Sequence, residues 1–151
     1  MLSNDILRSV RYILKANNTD LALGNVDATP EQIAIWLRKE EEEGFQRCPD
    51  IVLSSFLNGL IYEKRGKDEA APALTAERRI NNNIVLKKLR IAFSLKTDDI
   101  LAIFTGQLFR VSMPEITAMM RAPDHKNFRE CGDQFMRYFL RGLAAREHAA
   151  K

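Results

Sequence analysis

The run FQRCPDIVLSSFLNGL, Phe45 to Leu60, returns 83 residues later as FRECGDQFMRYFLRGL, Phe128 to Leu143. Phe45, Cys48, Asp50, Phe56, Leu57, Gly59 and Leu60 recur in order as Phe128, Cys131, Asp133, Phe139, Leu140, Gly142 and Leu143. Ordered self-similarity of this kind marks two copies of one structural unit. Upstream, Asn4, Leu7, Arg11 and Asp20 pair with Asn83, Leu86, Arg90 and Asp99 at a displacement of 79. The second copy is therefore four residues longer. The difference falls between Asp20 and Thr29, where a loop or an extra helical turn absorbs it.

Each copy reads as helices. From Asn4 to Ala16, Leu7, Val10 and Leu14 share one face, matched by Leu86, Leu89 and Phe93, and Asn4 and Asn83 stand where N-caps are expected. Thr29 with Gln32, and Ser112 with Glu115, have the spacing of capping boxes, followed by the apolar pairs Ile33 and Leu37, Ile116 and Met120. The last helix of each copy starts after Asp50 or Asp133. It buries Val52, Leu53, Phe56, Leu57 and Leu60, or Phe135, Met136, Phe139, Leu140 and Leu143. With a short second helix, four helices per copy are expected.

Between the copies, Arg65 to Arg79 is charged, contains Ala70-Ala71-Pro72-Ala73 and has no apolar period until Ile80, as a linker would. The expected organisation is a first repeat over 1–64, a linker over 65–80 and a second repeat over 81–148. Units this small bury little surface alone, so an all-α pair packed with pseudo-two-fold symmetry is expected. Gly59 and Gly142 fit close helix approach, since glycine inside a helix costs about 1 kcal/mol relative to alanine.

The Asn-x-x-Leu-x-x-x-Arg opening, the Thr29-Pro30-Glu31-Gln32 box and the Phe-x-x-Cys-x-Asp run leading into Phe56 to Leu60 resemble the YehS-like family. These are small bacterial proteins with two tandem copies of a helical domain of unknown function. The resemblance covers nearly the whole chain and is as close over Asn127 to Leu143 as over the first copy. One departure is the stretch Asp20 to Asn25, shorter than the family pattern. The resemblance implies a bacterial cytosolic helical protein and brings neither an activity nor catalytic residues.

The 151 residues, 46% of them hydrophobic, supply ample core for a folded chain. Ile51 to Tyr62 and Ile100 to Phe109 fall short of the roughly 20 apolar residues of a membrane span. Met1 to Tyr12 carries Asp5, Arg8 and Arg11 within its apolar pattern and reads as no secretory signal. Two cysteines make no disulfide framework. A cytoplasmic protein that does not engage membranes is expected. The net charge of +3 hides an asymmetry: −3 over Met1 to Lys64 and +5 over Asn81 to Lys151.

Arg11 and Arg90 follow Leu7 and Leu86 by one helical turn and share their apolar face, so each needs a partner. Asp50 and Asp133 are the candidates, in an ion pair tying the first helix of each copy to the last. The functional alternative is an anion site built from the arginine and the amides at that helix start. Retention in both copies favours the structural reading. Cys48 and Cys131 lie near helix starts that lower a thiol pKa, but an aspartate two residues on opposes this, and buried thiols are expected. Of the two histidines, His148 lies in the polar tail, while His125, Cys131 and Asp133 are short of ligands for a metal. Gly24, Gly44, Gly66 and Gly106 are isolated and form no phosphate loop. No cofactor, metal or catalytic residue is implied.

The basic second copy spreads Lys87, Lys88, Arg121, Lys126, Arg129, Arg137 and Arg141 over several helices. Gly106 to Ser112 is too long for the 3–4-residue turn of a helix-turn-helix, and Ser112 to Ala122 lacks a base-reading cluster. Glu40 to Glu43, ending a helix unfavourably for its dipole, offers a contact for a basic partner, and Trp36, matched by Met119, is a candidate anchor. The favoured expectation is a non-enzymatic binding or adaptor protein, with a protein partner or self-association. A nucleic-acid-binding protein using its second repeat is next, an uncharacterised enzyme third.

Overall fold

The computed structural model describes residues 1–15 and 25–149. All regular structure among them is helical. The chain divides into two compact units, Met1–Ile80 and Asn81–Lys151. The first contains α1 (Ser3–Leu14), α2 (Pro30–Trp36) and α3 (Asp50–Arg65). The second contains α4 (Asn82–Ala92), α5 (Thr97–Gly106), α6 (Met113–Met120) and α7 (Asp133–Ala149). The short second helix expected in the first copy, and most of the four-residue difference, lie outside the described residues. In the second copy that helix is α5, at 10 residues.

In the first unit, Ile6, Leu7, Val10, Ile13 and Leu14 of α1 and Leu53, Phe56, Leu57, Leu60 and Ile61 of α3 are buried where the two helices pack. In the second, α4 packs on α6 and α7, and α5 packs on α6 and α7. Leu86, Leu89, Ile100, Ile103, Phe104, Ile116, Met119, Met136, Phe139 and Leu143 fill that core. Each such side chain contributes about 1.5–3 kcal/mol through water exclusion. The two copies differ at the third expected helix. Ile116 is buried and its expected partner Met120 half-buried, with Met119 buried beside it, whereas Ile33 and Leu37 are both half-buried and α2 holds no fully buried residue.

Both capping boxes form. Gln32 N–H donates to Thr29 Oγ1 at 3.2 Å, and Thr29 N–H to Gln32 Oε1 at 2.9 Å. Glu115 N–H donates to Ser112 Oγ at 3.3 Å, and Ser112 N–H to Glu115 Oε1 at 3.1 Å. At Gly142 a Cβ would stand 2.6 Å from Ile103 Cγ2 and 2.7 Å from its carbonyl oxygen, so α7 meets α5 there at backbone distance. Gly59 takes the matching place in α3 and is buried.

After Gly66, which caps α3 at φ 80°, residues 67–80 return along the first unit. Leu74 N–H donates to Tyr62 Oη at 2.6 Å, Ser54 Oγ donates to Glu77 Oε1 at 2.8 Å, and Ile80 N–H donates to Asp50 Oδ2 at 3.1 Å. A segment read as spacer is thus a strap on the first unit.

Candidate functional site

The asparagines expected as N-caps do something else. Asn4 and Asn83 are the second residues of α1 and α4, 0% and 5% exposed; the side-chain cap of α4 is Asn81, which accepts from Ile84 N–H at 2.9 Å. Asn4 Nδ2 donates to the carbonyls of Trp36 and Gln46, both at 2.9 Å, and its Oδ1 accepts Cys48 N–H at 2.8 Å. Asn83 Nδ2 donates to the carbonyls of Met119 at 3.0 Å and Arg129 at 2.9 Å, and its Oδ1 accepts Cys131 N–H at 2.9 Å. Every partner matches its counterpart at the displacement of 83. An amide with two donors and one acceptor in use satisfies three backbone groups that the packing of loop on helix otherwise leaves unpaired.

A second tie is also shared, and it corrects the expected ion pairs. Asp50 Oδ1 accepts from Ser3 Oγ, and Asp133 Oδ1 from Asn82 Nδ2, both at 2.9 Å. The acids do join the first helix of each copy to the last, but through the residue before the clamp asparagine. Arg11 and Arg90 pair with neither acid. They lie eight residues beyond Ser3 and Asn82, about 12 Å along the helix axis at 1.5 Å per residue. That distance also leaves the alternative anion site unassembled. Arg11 is exposed, and Arg90 is half-buried with its Nε unpartnered. Identity matching missed Ser3 and Asn82 because their residue types differ.

Burial, and secondarily the carboxylate of Asp50 or Asp133, pushes the thiols of Cys48 and Cys131 up to about 12. Neither is a reactive thiolate. His125 is exposed and its Nδ1 accepts Asn127 N–H at 3.0 Å. Among the described residues no group of three His, Cys, Asp or Glu side chains is placed to hold a metal, and no helix is long and apolar enough to cross a membrane. A shallow groove between α5 and α7 beside Gly142 has Arg146 as its charged side chain, bonded to Asp99 at 3.3 Å.

The remaining candidate is a surface of the second unit. Phe109 stacks on Tyr138 with ring centroids 4.6 Å apart at 27°, and Phe135 meets Phe109 edge-on at 5.0 Å and 78°. All three rings are half-buried. Behind them the buried Phe104 touches Phe109 at 5.5 Å and Phe135 at 5.8 Å. Arg141 lies over the Tyr138 ring at 5.2 Å. Arg129 lies over Phe135 at 5.3 Å and bonds Glu115 at 2.8 Å. Arg110 and Arg137 are exposed nearby in sequence. On α7, the exposed residues 134, 137, 141 and 145 and the half-buried Tyr138 fall on one stripe, as the helical period requires.

The loop that carries Phe109 is held by the end of α5. Phe109 N–H donates to the Phe104 carbonyl at 3.0 Å and Leu108 N–H to the Thr105 carbonyl at 2.9 Å, the paired bonds of a Schellman motif. Its left-handed position, which glycine usually fills, is Leu108 at φ 56°, 96% exposed.

The first copy does not repeat these residues along its last helix. At the displacement of 83, Arg129, Phe135, Arg137, Tyr138 and Arg141 match Gln46, Val52, Ser54, Ser55 and Asn58. Ser54 and Asn58 are buried, Ser54 under the strap residue Glu77. Both copies keep the asparagine clamp, so the aromatic and arginine residues are not what the repeat needs to fold.

Two regions of the chain, residues 3–66 and 82–148, match the family model described as protein of unknown function (DUF1456). The uncharacterized protein YehS of Escherichia coli (strain K12) is 88% identical over 155 residues, covering 100% of this chain and 99% of the relative. A match of 155 residues to a chain of 151 leaves at least four of its positions without a counterpart here, the same number by which the two copies differ. No solved structure matches the chain.

Proposed function

The chain belongs to the DUF1456 family, and from the difference between its two repeats we propose that it is a non-enzymatic binding protein whose second repeat binds nucleic acid. The observation that carries this reading is the face of half-buried aromatic rings and exposed arginines on the second repeat, replaced along the last helix and the loop before it by uncharged, mostly small residues in the first. Arginines neutralise phosphates, and release of counterions from a polyanion supplies most of such affinity. Guanidinium planes resting on rings stay charged and oriented at modest entropic cost. The balance of +5 over Asn81 to Lys151 gives the same half a field that attracts polyanions. The first repeat, at −3 over Met1 to Lys64, acts as scaffold.

The test is the ratio of absorbance at 260 and 280 nm of the natively purified protein, before and after a high-salt wash. Trp36, Tyr12, Tyr62 and Tyr138 absorb weakly enough for bound nucleic acid to dominate. A raised ratio that falls with salt is expected; the ratio of bare protein at every salt concentration removes the reading. The exposed acidic run Glu40 to Glu43 favours a second one, an adaptor that binds a basic protein surface. Under that reading a complex forms without nucleic acid and is lost when those glutamates become glutamines.

A further inference from the structure

A basic face serves duplex and single strand alike, since both present phosphates. The aromatic part of this face distinguishes them. Phe109 and Tyr138 are stacked and half-exposed, with Phe135 edge-on to Phe109 and the buried Phe104 behind. Rings held on several sides form a platform fixed before any ligand arrives, which lowers the ordering cost of binding. Phe109 is placed by a helix ending that keeps Leu108 in the left-handed region, at a local cost in backbone energy. Arg141 over Tyr138 is a planar cation that can itself stack on a base or reach a neighbouring phosphate. In a duplex every base face is covered by its neighbours. In a single strand base faces are free, and aromatic side chains capture them with little regard to sequence.

We infer that a base stacks on Tyr138, backed by Phe109, in the place that Arg141 now takes over its ring, and that the second repeat binds single-stranded nucleic acid in preference to duplex, with Arg137 and the displaced Arg141 holding the adjoining phosphates. This rests on the nucleic-acid reading above. A purely structural role for the rings is opposed by the first repeat, which carries Val52 and Ser55 in the places of Phe135 and Tyr138.

The experiment follows fluorescence anisotropy of labelled oligothymidine and of a labelled hairpin duplex titrated with the full chain at low salt. The strand is expected to bind more tightly than the duplex. Tyr138→Ala should weaken the strand about tenfold, the effect of losing one base stack, and the duplex less, through the loss of the ring that orients Arg141, while Tyr138→Phe keeps wild-type affinity for both. Arg137→Glu with Arg141→Glu should weaken both probes. Equal affinity for strand and duplex, or an unchanged strand affinity in Tyr138→Ala, overturns the stacking site, and loss of binding in the double charge reversal then still upholds the nucleic-acid reading. No binding of either probe by the wild type overturns both. Should Tyr138→Ala fail to fold, the ring protons of Tyr138 in the wild type decide: they shift upfield with the strand if a base stacks there, and stay in place if none does.

Discussion

The side-chain oxygen of Asn83 accepts the backbone amide of Cys131 at 2.9 Å, as that of Asn4 accepts Cys48 at 2.8 Å. With the two carbonyls that each asparagine also serves, these bonds fix the loop before the last helix of both copies. Asn83→Ala strands one amide and two carbonyls in the interior, at a cost of about 3 kcal/mol or more. Urea unfolding of this variant and of Asn4→Ala measures it. A loss below about 1 kcal/mol, no more than one ordinary hydrogen bond, would mean that water replaces the clamp.

Gly142→Ala tests the approach of α7 to α5. Its Cβ meets the Ile103 carbonyl at 2.7 Å, an atom that moves only with the backbone of α5. Overpacking of about 1–3 kcal/mol outweighs the gain of about 1 kcal/mol in helix propensity. Gly106→Ala, with nothing within 4 Å of the new methyl group, is the control and should be neutral or stabilising.

Leu108→Gly removes a left-handed leucine from the end of α5. Stabilisation of about 1 kcal/mol is expected in thermal unfolding, the lower end of the cost of that conformation for a residue with a Cβ. An unchanged or lowered Tm would mean that the exposed leucine contributes to the fold.

The cysteines set an alkaline limit. Both thiols rise from an ordinary 9.0 to about 12 in the folded protein, by burial first. Below pH 9 they are protonated folded and unfolded, and their contribution is fully present. Between pH 9 and 12 only the unfolded chain ionises, so stability falls as pH rises through that window. Cys48→Ser and Cys131→Ser should flatten this fall, and native thiols should resist alkylation at pH 8 until denaturant is added. Fast native labelling would contradict their burial.

Helix periodicity, both capping boxes and the packing role of Gly142 depend on local spacing or on repeat identity, and were readable in the sequence. The clamp was not: a retained asparagine near a helix start looks like an N-cap, and only the fold brings residues 36, 46 and 48 around Asn4. The arginine–aspartate pairs failed for a related reason. A shared apolar face fixes direction around a helix but not position along it. The aromatic face escaped because identities draw attention to what the copies share, whereas Phe109, Tyr138 and Arg141 are where they part.

The central claim is that the second repeat, on its aromatic and arginine face, is the binding half of the molecule. Amide chemical shifts of the 15N-labelled full chain, titrated with a single-stranded oligonucleotide, test it most directly. Shifts confined to residues 107–111 and to the exposed stripe of α7, with residues 25–29 and 50–58 unmoved, are the predicted result. Shifts centred on the first repeat, or none in either, contradict it.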